Sequence, residues 1–246
     1  MKQLFVLLVV AGSFLQARAQ DSSAVKKAKK DWSKVNLGNR SKDHILLQLG
    51  YNNWIGKPDT IATKGFSRSF NMYFMLDFPF KTDPRISVAF GPGLGFDAMY
   101  LNKTYVDVSG KLANKLGFVD QADTNHFKKV KLNTTYLEAP IELRFSKDPE
   151  NPNKSWKAAI GVKIGTLLSA STKNKTYQSK SGGLINGYTL KEKSKSYFNN
   201  TRLSVMARAG YGIYSIYASY QVNAFIKDGF GPNIRPFQVG FTISGL

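Results

Sequence analysis

The sequence predicts an all-β fold: an eight-stranded antiparallel up-and-down transmembrane β-barrel with a cleaved N-terminal signal peptide. Three observations predict it. The chain opens with an export leader, apolar residues then recur with period two in eight segments, and the links between those segments are alternately long and short. Composition narrows the function classes further. The 246 residues include no cysteine, which removes disulfide frameworks, thiolate metal sites and cysteine nucleophiles. Two histidines, His44 and His126, leave little material for a zinc site or a histidine triad. Aromatics at 13% are too many for a disordered basic tail. A net charge of +19 would by itself allow a nucleic-acid binder, but an exported chain makes that role improbable.

The leader is read first. Met1 and Lys2 start it, Leu4–Leu15 is an apolar run, and Ala17-Arg18-Ala19 supplies the small-x-small cleavage pattern. Cleavage is placed after Ala19, giving a signal peptide over 1–19. The competing reading is a membrane anchor, for which the apolar run is too short. Residues 20–43 read as a basic periplasmic lead-in with Lys26, Lys27, Lys29, Lys30 and Lys34, and a short helix around Trp32. Residues 44–246 form the barrel domain. No later stretch holds eighteen apolar residues in a row, so no transmembrane helix is expected.

The eight segments follow in order. Ile45, Leu47, Leu49 and Tyr51 share one face against Gln48, Gly50 and Asn52, with Leu46 breaking the pattern. Phe66, Phe70, Met72, Phe74, Leu76 and Phe78 oppose Ser67, Ser69, Asn71, Tyr73 and Asp77. Ile86, Val88, Phe90, Leu94 and Phe96 oppose Ser87, Ala89, Gly91, Gly93, Gly95 and Asp97. Leu137, Ala139, Ile141, Leu143 and Phe145 oppose Glu138, Glu142 and Arg144. Trp156, Ala158, Ile160, Val162 and Ile164 oppose Lys157, Gly161, Lys163 and Gly165. Leu203, Val205, Ala207, Ala209 and Tyr211 oppose Arg202, Ser204, Arg208 and Gly210. Tyr214, Ile216, Ala218, Tyr220 and Val222 oppose Ser215, Tyr217, Ser219, Gln221 and Asn223. Phe237, Val239, Phe241 and Ile243 oppose Gln238, Gly240, Thr242 and Ser244.

Helical spacing would mix the two sets in every segment, so these are strands. Each is roughly ten residues, the length a tilted strand needs to cross a bilayer. A soluble sandwich could show the same alternation, but its wet face would be rich in long Lys and Glu. Here the polar face is mostly Gly, Ser, Asn and Gln, which suits the cramped interior of an eight-stranded barrel. The opposite face carries bulky residues fit for lipid. Lipid burial in turn requires the sheet to close on itself.

The links supply an independent test. Asn53–Lys64, Leu101 to about Val130 and Ser171–Asn200 are each longer than the even link that follows, Phe80–Pro84, Ser146–Ser155 and Gly212-Ile213 in turn, and Phe225–Asn233 is intermediate. Membrane barrels have short periplasmic turns and longer outer loops, so both termini fall in the periplasm. Tyr51 and Trp54 at one end, and Phe145, Trp156, Tyr211 and Tyr214 at the other, are candidate interfacial girdles. A bulge or local bend is expected at Pro92 and at Pro140, since each lacks a ladder N–H.

Three segments carry a family resemblance. The stretch TTYLEAPIELRF over Thr134–Phe145, the glycine-rich VAFGPGLGF over Val88–Phe96 and the lead-in VNLGNRSKDHILLQLGY over Val35–Tyr51 resemble the PorT-like outer-membrane β-barrel family of Bacteroidetes. The resemblance covers about residues 35 to 246. It implies a small barrel in the outer membrane of a Gram-negative bacterium. It implies no single activity, and no residue here ties the chain to the secretion machinery in which one family member takes part.

Candidate sites follow from the inward charges. Asp77, Asp97, Glu138, Glu142, Arg144, Lys157, Lys163, Arg202 and Arg208 form a lumen charge network, with Glu138, Glu142, Lys163 and Arg208 on neighbouring strands and able to meet. Unpaired buried charges cost several kcal/mol each, so pairing is expected. A polar pore or proton path is the functional reading; a salt-bridged plug is the structural one, favoured because eight strands leave little beyond side-chain room. Paired catalytic carboxylates at Glu138 and Glu142 fail on substrate access. Gly91-Pro-Gly-Leu-Gly lacks the helix and the spacing of a phosphate loop. His44 and His126 read as ordinary surface or rim residues.

The basic surplus concentrates in the two longest links: Lys103, Lys111, Lys115, Lys128, Lys129 and Lys131 in one, Lys173, Lys175, Lys180, Lys191, Lys193 and Lys195 in the other. Outside the cell these would meet phosphorylated lipopolysaccharide; plain loop solubility is the alternative. Stacking platforms for nucleic acid are absent from these runs, so none is expected as a partner. The expectation is a non-enzymatic structural or surface-interaction barrel without cofactor, partnered by outer-membrane lipid and lipopolysaccharide and by protein neighbours in that membrane. The alternatives are a narrow pore, a component of an outer-membrane secretion complex, or a lipid-modifying enzyme.

Overall fold

A computed structural model of the chain describes residues 44–245. The signal peptide over 1–19 and the lead-in over 20–43 lie outside the described residues. Thirteen strands follow one another: β1 (Ile45–Ile55), β2 (Arg68–Phe74), β3 (Leu76–Pro79), β4 (Ile86–Phe90), β5 (Gly93–Leu101), β6 (Thr104–Asp107), β7 (Gly117–Asp120), β8 (His126–Ser146), β9 (Trp156–Gln178), β10 (Leu184–Lys193), β11 (Thr201–Tyr211), β12 (Tyr214–Gln221) and β13 (Arg235–Ser244). Eleven of them form one sheet, and β6 and β7 make a separate hairpin.

That sheet is a closed ring. β1 pairs with β2 on one side and with β13 on the other, so the first and last strands of the sheet seal it. The remaining antiparallel ladders run β2–β5, β5–β8, β8–β9, β9–β11, β11–β12 and β12–β13. β2 and β3 are one stave interrupted at Met75, and β4 and β5 are one stave interrupted at Gly91-Pro92. With β10 standing on the free end of β9, the ring has eight staves, each lipid-facing ladder satisfying its backbone groups within the protein.

Neither proline shifts the register. Tyr73 pairs with Gly93 and Leu76 with Phe90, so the ladder resumes in step across Pro92. Pro140 pairs with Lys163 on one side and stands across from Gly91 on the other, within that same interruption. A residue without an N–H is accommodated where the ladder is already open. The irregularity in β8–β9 lies instead between Thr135 and Tyr136: Thr135 pairs with Ser169 and Tyr136 with Leu167, leaving Leu168 as an extra residue on β9. That is a β-bulge.

The outer surface carries a belt of exposed Phe70, Met72, Phe74, Phe78, Phe90, Leu137, Ile141, Leu143, Phe145, Ile160, Val162, Ile164, Val205, Ile216 and Phe241. An apolar surface of this extent is foreign to a soluble monomer and fits lipid. Trp156, Tyr211 and Tyr214 are exposed at the end that holds the short turns and both ends of the described chain. Trp156 and Tyr211 rings meet edge-on at 5.7 Å.

β8 and β9 run 21 and 23 residues, about twice the length needed to cross a bilayer. The two longest links therefore contain much strand: β6, β7 and the start of β8 in one, the end of β9 and β10 in the other. Beyond the belt, the alternation of these staves continues with its polarity inverted. Met99, Leu101, Val130, Leu132 and Leu167 turn inward, while Lys129, Lys131, Lys173 and Lys175 turn outward. The inward set joins Ile61, Val106, Val108, Leu116, Phe127, Phe198, Phe225, Ile226 and Ile234 in an apolar core above the barrel axis. Trp54 belongs to this core, 4% exposed and 5.8 Å from the Phe225 ring, and so is not part of an outward girdle. Its place on β1 has the parity of Gln48 and Asn52, both inward.

Candidate functional site

Two buried charge clusters occupy the ring. In the first, Arg202 of β11 reaches Asp97 of β5 through Nη2 at 2.5 Å and Glu138 of β8 through Nη1 at 3.0 Å. Its Nε donates to Gln221 Oε1 at 3.2 Å, and its guanidinium lies 3.6 Å from the Tyr136 ring centroid. Lys163 of β9 lies 3.1 Å from Glu138, and the Tyr73 hydroxyl donates to the same carboxylate at 2.6 Å. Gln238 donates to the second oxygen of Asp97 at 2.7 Å. Glycines make room for this cluster: a Cβ on Gly95 would stand 2.8 Å from Glu138 Oε2, and one on Gly165 3.0 Å from Glu138 Cγ.

In the second cluster, Glu142 takes Arg208 at 3.0 Å and Arg144 at 2.7 Å. Arg144 stands 3.7 Å from Asp77, which accepts a hydrogen bond from Ser87 at 2.7 Å. Lys157 is also buried on the inner face. Glu138, Glu142, Lys163 and Arg208 thus do not converge on one point: Glu138 pairs with Lys163, and Glu142 with Arg208. Both clusters join strands that are distant in sequence, and removing one member would strand its partners in a low-dielectric interior. Among the described residues no group of three metal-capable side chains occurs.

The basic residues divide into several settings. Lys111 lies 2.7 Å from Glu192, a buried acid that also accepts from the Tyr105 hydroxyl at 2.8 Å. Lys180 pairs with Asp123 at 2.9 Å on the exposed surface. Lys195 reaches the Leu167 carbonyl at 3.5 Å, Lys103 adopts a positive φ of 45°, and Lys115 is exposed. Lys129, Lys131, Lys173, Lys175, Lys191 and Lys193 are different. They stand on β8, β9 and β10 and face outward together. Lys131 pairs with Lys173, Lys173 with Lys191, and Lys129 with Lys175. A groove of about 500 Å³ runs beside them, its walls including Lys64, Phe66, Arg68, Tyr100 and Lys128.

The remaining motifs carry no site. Gly91-Pro-Gly-Leu-Gly lies along the interrupted third stave. His44 Nδ1 is 3.2 Å from the Met75 carbonyl. His126 is not a surface-loop residue: it opens β8, is 4% exposed, and its Nδ1 lies 3.0 Å from the Thr124 carbonyl. The cross-strand lysine rows were hidden from the sequence because they require the register of three long strands. The available signal was the spacing of two among Lys129 and Lys131, Lys173 and Lys175, and Lys191 and Lys193.

A closed antiparallel ring with an apolar outer belt is the architecture of a bacterial outer-membrane barrel. The sequence model of the family described as outer membrane protein beta-barrel domain matches residues 20–243, and the chain belongs to that family. The protein is therefore an outer-membrane β-barrel in contact with membrane lipid. Among solved structures, it is similar to Ail, the attachment invasion locus protein of Yersinia pestis, with 14% identity, 82% of this chain and 99% of that chain covered, and a TM-score of 0.32. A second structure of Ail, in complex with the heparin analogue sucrose octasulfate, gives 11% identity, 82% and 97% coverage, and a TM-score of 0.29. Family membership rests on the match over 20–243, not on these likenesses. The comparison with curated proteins found no match.

Proposed function

We propose that the protein is a closed, non-conducting barrel that holds a rigid basic sheet at the cell surface. The observation that carries this reading is the filling of the ring: two ion-paired clusters lie along its axis, beneath an apolar core built from Trp54, Leu132, Phe198 and Phe225. An eight-stranded ring has little interior space beyond its own side chains. In this reading both termini are periplasmic, the short turns lie at the inner face, and β6, β7, β10 and the far ends of β8 and β9 stand outside. The role is structural or adhesive rather than enzymatic, and the outward lysines meet the phosphates of lipopolysaccharide. Within the outer-membrane barrels, the resemblance of the segments at Val35–Tyr51, Val88–Phe96 and Thr134–Phe145 supports reading the chain as a PorT-like member.

Planar-bilayer recording on the purified protein tests the closed interior. The expected result is no stable step in current. Reproducible stepwise conductance would overturn the reading and favour the narrow pore.

A further inference from the structure

The outward lysine rows pose an energetic problem. Like charges directly opposite each other across a sheet are destabilising, yet Lys131–Lys173–Lys191 is a row of three and Lys129–Lys175 a row of two. No acid of these rows relieves them: Glu192, on β10, faces inward and already takes Lys111 and Tyr105. The effect is felt at Lys173, whose ammonium is held below its ordinary pKa first by Lys175, then by Lys191. Such a face is stable alone only at a cost, and an anion would remove that cost.

The neighbouring groove says what kind of anion. Its walls combine the exposed ring of Phe66 with Tyr100, over which Lys131 Nζ sits at 5.8 Å. One wall therefore carries aromatic rings beside Lys64 and Arg68, and the other is lined by lysines. The groove also lies just past the lipid belt: Tyr100 follows Phe96 on β5 by four residues, about 13 Å along a tilted strand. Lysine stems shorten such a gap by lying along apolar surface with the ammonium toward the headgroup layer.

We propose that this groove binds a phosphorylated glycolipid of the surrounding leaflet, with its phosphates on Lys131, Lys173 and Lys175 and its less polar part against Phe66 and Tyr100. The proposal rests on the reading that this end of the barrel faces the outer leaflet. A lipid-borne phosphate is preferred to a soluble one because the aromatic rings would contribute nothing to a free anion. Each lysine–phosphate contact is a charge-assisted hydrogen bond, so losing three should reduce binding on the order of tenfold or more.

The test uses the whole mature protein in phosphatidylcholine nanodiscs, titrated with bisphosphorylated lipid A, with its dephosphorylated form and with inorganic pyrophosphate, and read by native mass spectrometry. Retention of the bisphosphorylated lipid alone is expected, together with its loss in K131Q/K173Q/K175Q and not in K180Q. The triple variant should also melt higher than the wild type when no lipid is added, which separates loss of a site from loss of the fold. Equal retention of both lipid forms, or saturable binding of pyrophosphate in place of the lipid, would overturn the proposal. Orientation is read separately: the cysteine-free chain carrying K180C should label with an impermeant maleimide on intact cells. Failure of labelling would sink the orientation while leaving the nanodisc result interpretable by itself.

Discussion

Glu138 shows how much of this molecule hangs on single side chains. Its carboxylate receives Lys163, Arg202 and the Tyr73 hydroxyl at 2.6–3.1 Å. Glu138→Ala would leave two cations buried without their shared anion, a loss of about 3–5 kcal/mol. Urea unfolding followed by heat-modifiable gel mobility should show the lowered midpoint. Gly95→Val acts on the same group from the opposite strand, because a side chain there must displace the carboxylate; its loss should not add fully to that of Glu138→Ala. These charges were legible in the sequence as inward-facing residues, but their division into two clusters was not, since it depends on which strands adjoin and in what register. Outside the membrane, Asp107 offers a titration. Burial opposes its charge, but the N–H groups of Leu112, Lys111, Ser109 and Gly110 outweigh that effect and hold its carboxyl below the usual range. The ionised form therefore stabilises the 107–112 turn at ordinary pH, and that contribution fades as pH falls below about 4. The Ser109 and Leu112 amide resonances should shift on acidification through that window, and Asp107→Asn should abolish the transition.

At the scale of elements, the bulge at Leu168 sets the outward face of β9. Before it, even-numbered residues such as Ile164 and Leu168 face out; after it, odd-numbered Lys173 and Lys175 do. A side-chain period of two means that a one-residue slip exchanges the faces. Deleting Leu168 should therefore remove the bulge and leave a regular ladder, with Thr135 still opposite Ser169 and with Lys173 and Lys175 still outward. The expected outcome is a barrel that keeps its heat-modifiable mobility and a β8–β10 extension that stays resistant to protease at Lys173. Cleavage there would show that the extension needs the bulge itself and not only the register it preserves. The eight membrane staves could be read from the sequence because their apolar rows are long and their links alternate in length. The extensions of β8 and β9 could not, because above the lipid the same alternation reverses its meaning. A row such as Lys129, Lys131 and Asn133 reads as a solvated loop until its partner row Val130 and Leu132 is recognised as interior. Trp54 was misplaced for the same reason: an aromatic at a strand end suits an interfacial girdle, but parity turned it inward.

On the whole-molecule scale, the polarity inversion marks where one solvent gives way to another. Below it the chain is a membrane protein, with grease outside and charge within; above it the chain is built like a soluble β protein. The two halves should respond differently to their surroundings. Exchange of detergent for a shorter-chain one is expected to loosen the belt first, while the apolar core around Trp54 keeps its tryptophan emission blue-shifted. Simultaneous loss of both signals would show that the halves unfold as one unit.

The seam between β1 and β13 carries a consequence for assembly. Ten residue pairs, from Leu46–Ser244 to Ile55–Arg235, join the two ends of the described sheet. Hydrogen bonding along that seam must wait for the last stave to be made and delivered. A nonsense codon just before Arg235 would therefore leave β1 and β12 with bare edges in hydrocarbon, a defect lipid cannot repair, so loss of β13 alone should be as damaging to the cell's yield of protein as a stop near the middle of the barrel.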